Sequence, residues 1–474
     1  MPLILGTNSI KDTGYEVANS LRFNPGSSDG LTRSTNSPTS RRKFTFSTWF
    51  KKSDTDISDN QALLSITDGG NYFFDVRFQH SNEELNVIDY QDGTQMYLQT
   101  NLDFKDDSAW THIVVQIDTT HGSPDNRMRI YVNGVEETSF SSRTNPSTNH
   151  DTAVNQTNTR IGFQNNQYYF DGYLAETVFL DGLDHGASFF GEFDDDTGIW
   201  IPKDVTDFTF GNNGFYLDYE NSSNLGADAS GEGHNFTVNN LTSIDQSTDT
   251  CTNNAMTINR SYYSASSYTL TNGNLAVDGN ASNAWRSLYG TFGLTSGKWY
   301  WEIKIDGKES SDPNNFAIGI VSSEQVDQSS SNGKFFGTAQ GYAYHGKDGK
   351  KLNNDTVTAN GASYGDSFTT GNIIGVFLDL DNHKLYFSKD GVVQASGDPT
   401  SGSTGTNAAF SITSGHTYFP AIANYYSAEH YSFNFVSPPF SITSGNQDGN
   451  GYGNFEYPTQ GYYACNTKNL AEFG

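Results

Sequence analysis

Short runs in which apolar and polar residues alternate are the feature that most constrains the fold of this chain. The run KWYWEIKID at 298–306 places its aromatic and aliphatic side chains at every second position, so they share one face of an extended strand. Turn residues separate such runs, and the pair Asn133-Gly134 is the one that a type I′ hairpin turn prefers. No long segment repeats its apolar residues with the helical period of about 3.6 residues. The pattern therefore predicts an all-β protein.

The composition agrees with a folded β protein of more than one domain. Aromatic residues make up 14% of the chain, with 33 Phe and 27 Tyr, whereas disordered acidic chains contain few of them. A length of 474 residues is about three times the ~150 residues expected of one domain. The chain is therefore long enough to bury more than one core.

The alternating runs fall into two regions, which we interpret as two antiparallel β-sandwiches of the jelly-roll kind. The first occupies residues 15–186 and the second residues 271–436. Residues 187–270 are rich in Ser, Thr, Asn and Asp, and are predicted to form an irregular, partly ordered connector. Residues 1–14 are predicted to form an N-terminal arm, and the Gly- and Asn-rich residues 437–474 are predicted to form a C-terminal docking tail.

The charge of the chain excludes several classes of partner. The formal net charge is -27, so the positive footprint of a nucleic-acid-binding protein is missing, and attraction to anionic membranes is not expected. No apolar run approaches the ~18 residues of a membrane span, so no membrane insertion is predicted. Cys251 and Cys465 lie far apart and outside any CxxC motif, which leaves zinc and dithiol chemistry unsupported.

The sequence lacks two motifs of common enzymes, and we predict that the protein is not an enzyme. Neither H-E-x-x-H nor a P-loop occurs. The paired Asp379 and Asp381 suggest a carboxylate site, but alternation places them opposite the apolar row of the same hairpin. We interpret them as acids on the solvent side of a half-buried strand. His112, on an apolar strand, is interpreted as a packing residue.

A sugar-binding site needs an exposed aromatic ring with amide or carboxylate neighbours. The stretch NNQYYFDG has that composition, because Tyr168 or Tyr169 can stack on a sugar. Asn165 and Asn166 supply amides that form hydrogen bonds with its hydroxyls. Strand alternation predicts that one of the two tyrosines faces the core. A purely structural hairpin is the alternative interpretation of the same residues.

A strand and a hairpin in the first region carry a family signature. The segments are WTHIVVQIDTTHGSPDNRMRIYVNGVEE at 110–137 and FDGYLAETVFLDG at 170–182. They resemble the laminin-G/concanavalin-like jelly roll. This resemblance implies a sandwich that often binds Ca²⁺ at one rim, although no ligand set can be mapped here and no cofactor is assigned. Related jelly-roll glucanases carry an E-x-D-x-E strand, and the nearest counterpart, EELNVID at 83–89, does not match it.

Several segments of the second region occur in the order of another family. They are SGKWYWEIKID, FAIGIVSS, GYAYHGKDGKKLNN, YGDSFTTGNIIGVFLDLDNHKLYFSKDGV and YFPAIANYYSAEHYSFNF. Together they resemble a SPRY domain, which implies a bent β-sandwich that binds partners through its loops and is not known for catalysis. Tyr425 and Tyr426 fall on such a loop and are further candidate ligand-binding residues.

The ends and the link between the two regions have a resemblance of their own. MPLILGTNSIKDTGYEVANSLRFN, DASGEGHNFTVNN and GYYACNTKNLAEFG are similar to segments of virion structural proteins of marine tailed bacteriophages. This implies a non-enzymatic tail fibre, spike or similar appendage, assembled in the host cytoplasm with other virion proteins, that binds a host-surface glycan or protein. The alternatives are a head decoration or capsid fibre protein that docks on the capsid, and a glycan depolymerase. A homo-oligomer stays open, since no coiled-coil heptads occur.

Overall fold

The computed structural model of the chain describes residues 9–54, 58–260, 268–279, 284–308, 315–326, 333–354 and 361–474. The described chain divides into two units, residues 12–253 and residues 254–474, and residues 9–11 belong to the second unit. Residues 1–8 of the predicted arm lie outside the described residues.

The first unit consists of short strands joined by turns. Its strands are β1 (Ser20–Phe23), β2 (Gly30–Ser34), β3 (Lys43–Lys52), β4 (Gln61–Thr67), β5 (Tyr72–Phe78), β6 (Glu84–Gln91), β7 (Thr94–Asp103), β8 (Thr111–Asp118), β9 (Met128–Val132), β10 (Val135–Glu136), β11 (Phe140–Thr144), β12 (Asn158–Ile161), β13 (Gly172–Asp181), β14 (Gly191–Phe193), β15 (Trp200–Pro202), β16 (Phe215–Leu217), β17 (Thr237–Asn239) and β18 (Gln246–Ser247). Asn133 and Gly134 have φ of 45° and 82° and form the β9–β10 turn that the sequence predicts.

Two eight-stranded antiparallel sheets enclose the core of this unit. Sheet A has the order β10-β9-β8-β3-β13-β1-β18, with β16 paired to β13, and sheet B has the order β11-β7-β6-β5-β4-β12-β2-β17. Every second residue of a strand enters the core between them, as Phe44 and Phe46 of β3 and Phe74 of β5 do. The alternation seen in the sequence therefore builds this sandwich.

The second unit repeats the arrangement with a different set of elements. They are β19 (Tyr268–Thr271), β20 (Ala276–Gly279), β21 (Arg286–Tyr289), β22 (Lys298–Gly307), β23 (Phe316–Ser322), β24 (Gly341–His345), β25 (Lys350–Asn353), β26 (Ala362–Ser363), β27 (Ile373–Asp379), β28 (Lys384–Lys389), β29 (Val392–Val393), β30 (Phe410–Ser411), β31 (Tyr418–Asn424), β32 (His430–Asn434), β33 (Tyr463–Ala464) and helix α1 (Thr467–Phe473).

Sheets C and D of the second unit form its sandwich. Sheet C has the order β19-β20-β32-β22-β27-β28-β29, with β30 beside β28 and β33 beside β22, and sheet D has the order β21-β31-β23-β24-β25-β26. Trp299 and Trp301 of β22 are both 0% exposed in the core, as expected from their alternation. The prediction of an all-β chain with two antiparallel sandwiches is confirmed.

The segment interpreted as an irregular connector is divided between the two units. Residues 187–253 belong to the first unit, where β16, β17 and β18 extend its two sheets. A buried ion pair holds the end of this segment, because Lys51 Nζ lies 2.9 Å from Asp249 Oδ2. Trp110 Nε1 donates to the other oxygen, Asp249 Oδ1, at 2.9 Å. Strands of two or three residues are too short to leave an alternating pattern, which is why the sequence suggests a connector here.

Each sheet also has an outer face, which points away from its core. Among the described residues, apolar clusters cover three of these faces, with Trp200 over sheet A, Phe336 over sheet D and Phe455 over sheet C. The outer face of sheet B differs, because polar and charged residues alternate there with the core residues. We call this set the polar face; it comprises Thr32, Ser65, Asp75, Arg77, Asn86, Gln99 and Arg160.

The interpretation of Asp379 and Asp381 as two solvent-side acids is wrong for Asp379. Asp381 is exposed, but Asp379 is only 1% exposed. The face that carries Asp379 is covered by residues 437–474, where the ring of Tyr462 packs against Phe377 with centroids 5.4 Å apart. The C-terminal tail is therefore part of the fold of the second unit, and its docking on another protein stays a prediction.

Candidate functional site

A tight turn beside the polar face shapes the candidate site. Gln164 N donates to Gln167 O at 2.9 Å, and Gln167 N donates back to Gln164 O at 2.7 Å. Asn165 and Asn166 between them have φ of 39° and 61°, a left-handed conformation that asparagine tolerates better than most residues. The turn therefore favours the two asparagines of NNQYYFDG for the conformation of their backbone.

A buried carboxylate fastens this turn to the polar face. Gln164 Nε2 donates to Asp75 Oδ2 at 2.5 Å, and Arg77 NH1 lies 3.3 Å from the same oxygen. Burial raises the pKa of the Asp75 carboxyl to about 7, and the charge of Arg77 offsets part of that rise. The sequence analysis missed Asp75. A signal was present, because an acid and a base alternate with apolar residues in the strand NYFFDVRF.

The chain after the turn separates the two candidate tyrosines. Tyr168 has a φ of 56°, and the guanidinium carbon of Arg77 lies 5.4 Å from the centroid of its ring. Tyr169 stacks on Phe163 instead, with centroids 5.4 Å apart and planes 8° from parallel. Both tyrosines are half-buried, and Phe170 takes the core position at 0% exposed. The expectation that one tyrosine faces the core is wrong, because strand alternation fails at a positive φ.

Tyr169 lies along an open groove of about 550 Å³ beside the polar face. Asn166 and Tyr169 are brought together in its lining. Asn165 is used elsewhere, since its Nδ2 donates to Gly69 O at 3.1 Å. Two rings, three amides and one guanidinium make up most of the lining: Phe163, Tyr169, Asn166, Asn239, Asn240 and Arg160.

A glycine allows the aromatic part of the groove to lie against sheet B. A Cβ atom at Gly30 would stand 2.3 Å from Phe163 Cδ1, so only glycine leaves room for the ring on β2. The guanidinium carbon of Arg160 lies 5.7 Å from the centroid of the same ring. Phe163 is 5% exposed, so Tyr169, which stacks on it, provides the flat apolar surface on which a ring-shaped ligand can stack.

The asparagines on the β17 side of the groove are held by the fold. Asn240 Nδ2 donates to Ser27 O at 2.8 Å and to Ser28 O at 3.1 Å. Asn239 Nδ2 donates to Thr32 Oγ1 at 3.0 Å. An amide nitrogen has two hydrogens to donate, and Asn240 uses both on backbone carbonyls. Its side-chain oxygen is the atom that remains to accept a hydrogen bond from a ligand.

Tyr425 and Tyr426 lie in the second unit, after β31, and are not part of this groove. The ring of Tyr425 packs against Trp285 with centroids 5.7 Å apart, and Tyr426 lies edge-on to Tyr425 at 4.8 Å. The backbone amides of both tyrosines donate to Oε2 of the buried Glu429, at 2.9 and 3.1 Å. One carboxylate therefore fixes the loop that presents these two rings.

Several residues weighed for catalysis have structural partners in the first unit. His112 is 1% exposed and accepts a hydrogen bond from Trp200 Nε1 at 3.0 Å, and burial lowers its pKa to about 3. It is a neutral packing residue, as the sequence suggests. In EELNVID, Glu83 pairs with the buried Lys52, and Asp89 Oδ1 accepts from a backbone amide at 2.7 Å.

Two other kinds of site were sought in the described residues. No group of three or more His, Cys, Asp or Glu side chains converges there as metal ligands. None of the described helices has the length and apolar character needed to cross a membrane. Cys251 and Cys465 are free cysteines.

Two sequence families match the two sandwiches. The profile of the concanavalin A-like lectin/glucanases superfamily matches residues 25–182, and that of the SPRY domain matches residues 298–438. The chain contains a concanavalin A-like domain and a SPRY domain. The groove lies beside sheet B of the concanavalin A-like sandwich, but Asn239 and Asn240 come from beyond the matched residues.

One curated relative and three solved structures are similar to parts of the chain. A Drosophila melanogaster protein, "Ran-binding proteins 9/10 homolog", is 42% identical over 53 residues, which are 11% of this chain and 5% of that protein. The chain thus spans about 5% of the length of this relative.

The three solved structures are each similar to part of the chain. The SPRY domain of human HERC1 is 20% identical and covers 35% of this chain and 91% of its own, with a TM-score of 0.26. A heptameric SAP-like pentraxin from Limulus polyphemus is 14% identical and covers 35% and 78%, with a TM-score of 0.27. A putative carbohydrate binding protein from Bacteroides ovatus is 16% identical and covers 48% and 59%, with a TM-score of 0.35.

Proposed function

We propose that the protein is a non-enzymatic glycan-binding protein, in which the groove of the concanavalin A-like domain holds the sugar. The observation that carries this proposal is the groove itself. Its stacked rings, Phe163 and Tyr169, stand beside asparagine amides that are fixed by the fold. A sugar presents apolar C–H faces and a rim of hydroxyls. The aromatic part of the groove suits the C–H faces, and the amides suit the hydroxyls.

The polar face below the groove supports the same proposal. This face meets the groove at Thr32 and Arg160, which belong to both. Among the described residues, apolar clusters cover the other three outer faces.

The direct test is Tyr169→Ala in the full chain. A glycan array identifies a bound oligosaccharide, and calorimetric titration then measures its affinity for wild type and variant. Loss of the stacking ring is expected to weaken binding about tenfold, which corresponds to about 1.4 kcal/mol. Tyr72→Ala is the matched control, since Tyr72 is a half-buried tyrosine of the same sheet whose hydroxyl donates to Asp92 at 2.7 Å. Equal affinities for the two variants, or no glycan bound by wild type, would contradict the proposal.

The absence of catalysis is part of the proposal and has its own test. Purified protein is incubated with capsular and lipopolysaccharide glycans, and the release of new reducing ends is measured. We expect none above a heat-denatured sample. Steady release of reducing ends would favour a glycan depolymerase instead.

We also propose that the protein is part of a phage particle and that its SPRY domain binds virion or host proteins. This part rests on the sequence resemblance to marine phage virion proteins alone. Mass spectrometry of purified particles and antibody labelling in electron micrographs test it. Labelling of tails would favour an appendage, labelling of heads would favour a decoration protein, and absence from intact particles would contradict both.

A further inference from the structure

We infer that the sugar held in the groove carries a negative charge, and that Arg160 is the residue that recognises it. This inference rests on the proposed function and names the class of its ligand. Arg160 lies on β12, in register with Thr32 of β2 and Ser65 of β4, and it lines the groove. Its position on the polar face is therefore fixed by the central strands of sheet B.

Among the described residues, the guanidinium of Arg160 has no carboxylate within ion-pair distance, unlike those of Arg42 and Arg77. Its NH1 atom is buried and makes no hydrogen bond within the described residues. By contrast, Arg42 Nε lies 2.6 Å from Asp151 Oδ1, and Arg77 NH1 lies 3.3 Å from Asp75 Oδ2. Burial lowers the pKa of Arg160, and the charge of Asp75 only partly compensates. A half-buried cation without a close anion lowers the stability of the free protein, because its charge is partly removed from water. An anionic ligand beside Arg160 would offset this cost.

The rest of the groove suits a charged sugar better than a neutral one. The guanidinium carbon of Arg160 lies 5.7 Å from the centroid of the Phe163 ring, within the range of a cation–π contact. The other polar groups of the lining are hydroxyls and neutral amides, and none of the lining residues described is Asp or Glu. In a chain with a net charge of -27, a groove that carries a cation and excludes acids offers a local site for an anion.

Two chemical groups on a sugar fit the planar fork of a guanidinium. The carboxylate of a uronic acid and a sulfate ester both offer two oxygens at the spacing that the fork binds in parallel. Stacking on Tyr169 and hydrogen bonds to the asparagines would hold the sugar ring in either case. The shared requirement is an anionic group placed at the edge of a stacked ring.

The experiment compares three trisaccharides of one backbone: neutral, with one uronic acid, and with one sulfate ester. Short ligands are chosen because a long polyanion would be repelled by the net charge of the chain. Calorimetric titration of the full-length protein is expected to show at least about tenfold tighter binding of a charged trisaccharide than of the neutral one. The charged trisaccharide that binds more tightly shows whether the groove prefers a carboxylate or a sulfate ester.

Substitutions at Arg160 then assign the preference to this residue. Arg160→Gln is expected to remove the preference for charge, so that the three trisaccharides bind it with similar affinity. Arg160→Lys keeps the charge but not the fork, and is expected to retain a smaller preference. Arg143→Gln is the matched control, because Arg143 lies on β11 of the same sheet and pairs with Asp125 at 3.5 Å. It is expected to leave the preference unchanged.

The outcomes separate this inference from the proposed function. If the neutral trisaccharide binds as tightly as the charged ones, and Tyr169→Ala still weakens it, the groove binds glycans and the role of Arg160 is wrong. If the charge preference survives in Arg160→Gln with an unchanged circular dichroism spectrum, the inference is also overturned. If no trisaccharide binds the wild type, the proposed function itself fails.

Discussion

The outer faces of sheet B and sheet C are built from the same kind of strand, yet only one of them is covered by apolar residues. In both sheets, core residues alternate with residues that point away from the core. On sheet C the outward residues include Tyr300 and Phe377, and residues 437–474 pack over them. On sheet B the outward residues form the polar face, and the groove runs beside it.

One buried carboxylate ties residues 456–457 of the cover to sheet C. Glu302 is 0% exposed and accepts hydrogen bonds from Glu456 N at 3.0 Å and Tyr457 N at 2.8 Å. Asn434 Nδ2 donates to it as well, at 3.1 Å. The comparison teaches that a sheet face is closed where the chain supplies its own apolar cover and a polar anchor for it. The groove lies beside the face that has no such cover.

The largest effect is expected from breaking the cover on sheet C. Glu302→Ala leaves two backbone amides and Asn434 without their acceptor, and should lower the free energy of unfolding by about 4 kcal/mol. Urea unfolding of the full chain measures it. Asp306→Ala is the control on the same strand, because Asp306 is exposed and a surface acid contributes about 1 kcal/mol or less. Equal losses for both variants would show that Glu302 does not anchor the tail.

The covered outer face of sheet A contains a buried acid, so its contribution to stability is expected to depend on pH. Glu176 is 6% exposed and accepts hydrogen bonds from Tyr216 Oη at 2.9 Å and Tyr15 Oη at 3.2 Å. Burial raises its pKa from 4.5 to about 8. Since the folded pKa is the higher one, the neutral form stabilises the fold fully below pH 4.5, and that stabilisation is lost as the pH rises through 8.

The free energy of unfolding should therefore fall by about 3 kcal/mol between about pH 6 and pH 9, and Glu176→Gln should remove that fall. Urea titrations of both proteins at several pH values measure the difference. Glu232→Gln is the control, because Glu232 is exposed in the same unit. A pH dependence that Glu176→Gln leaves intact would place the titrating group elsewhere.

A smaller effect is expected from pushing the aromatic part of the groove away from sheet B. Gly30→Ala places a methyl group in the space of the Phe163 ring, and should cost about 2 kcal/mol of stability through overpacking. Glycan affinity should fall with it, because the ring is displaced into the groove. Gly122→Ala is the control, since a Cβ at Gly122 meets nothing within 4 Å. Thermal unfolding measures the change in stability, and titration with the glycan measures the change in affinity. An unchanged affinity of Gly30→Ala would show that Phe163 is not part of the site.

The smallest effect is expected at the SPRY loop. Tyr426→Ala removes a half-exposed ring in the second unit, and should change glycan affinity by less than about twofold if the groove is the site. Titration with the same glycan measures this. A loss as large as that of Tyr169→Ala would move the glycan site to the SPRY domain.

The sequence predicts the sandwiches well because a period of two is a local property of the chain. Trp299 and Trp301 enter the core as the alternation at 298–306 indicates. It does not predict what covers the outer faces, since that depends on pairings between distant segments. Asp379 looks solvent-facing until residues 437–474 are placed over it.

The candidate site shows the same limit. The composition of NNQYYFDG points to Asn166 and Tyr169, which the structure places in one groove, and their binding role stays a prediction. Asn239 could not be found from the sequence, because it reaches the groove only through the pairing of β17 with β2, about two hundred residues away. Nothing in the sequence distinguishes Arg160 from other strand arginines. Only the structure shows that its NH1 atom is buried and makes no hydrogen bond within the described residues.

Hydrogen–deuterium exchange of the full chain, with and without a saturating oligosaccharide, tests the central claim most directly. The account predicts slower exchange in peptides that cover residues 158–170 and 237–241, with residues 437–474 unchanged. Protection of residues 421–430 instead, or unchanged exchange around the groove while the sugar is bound, would contradict it.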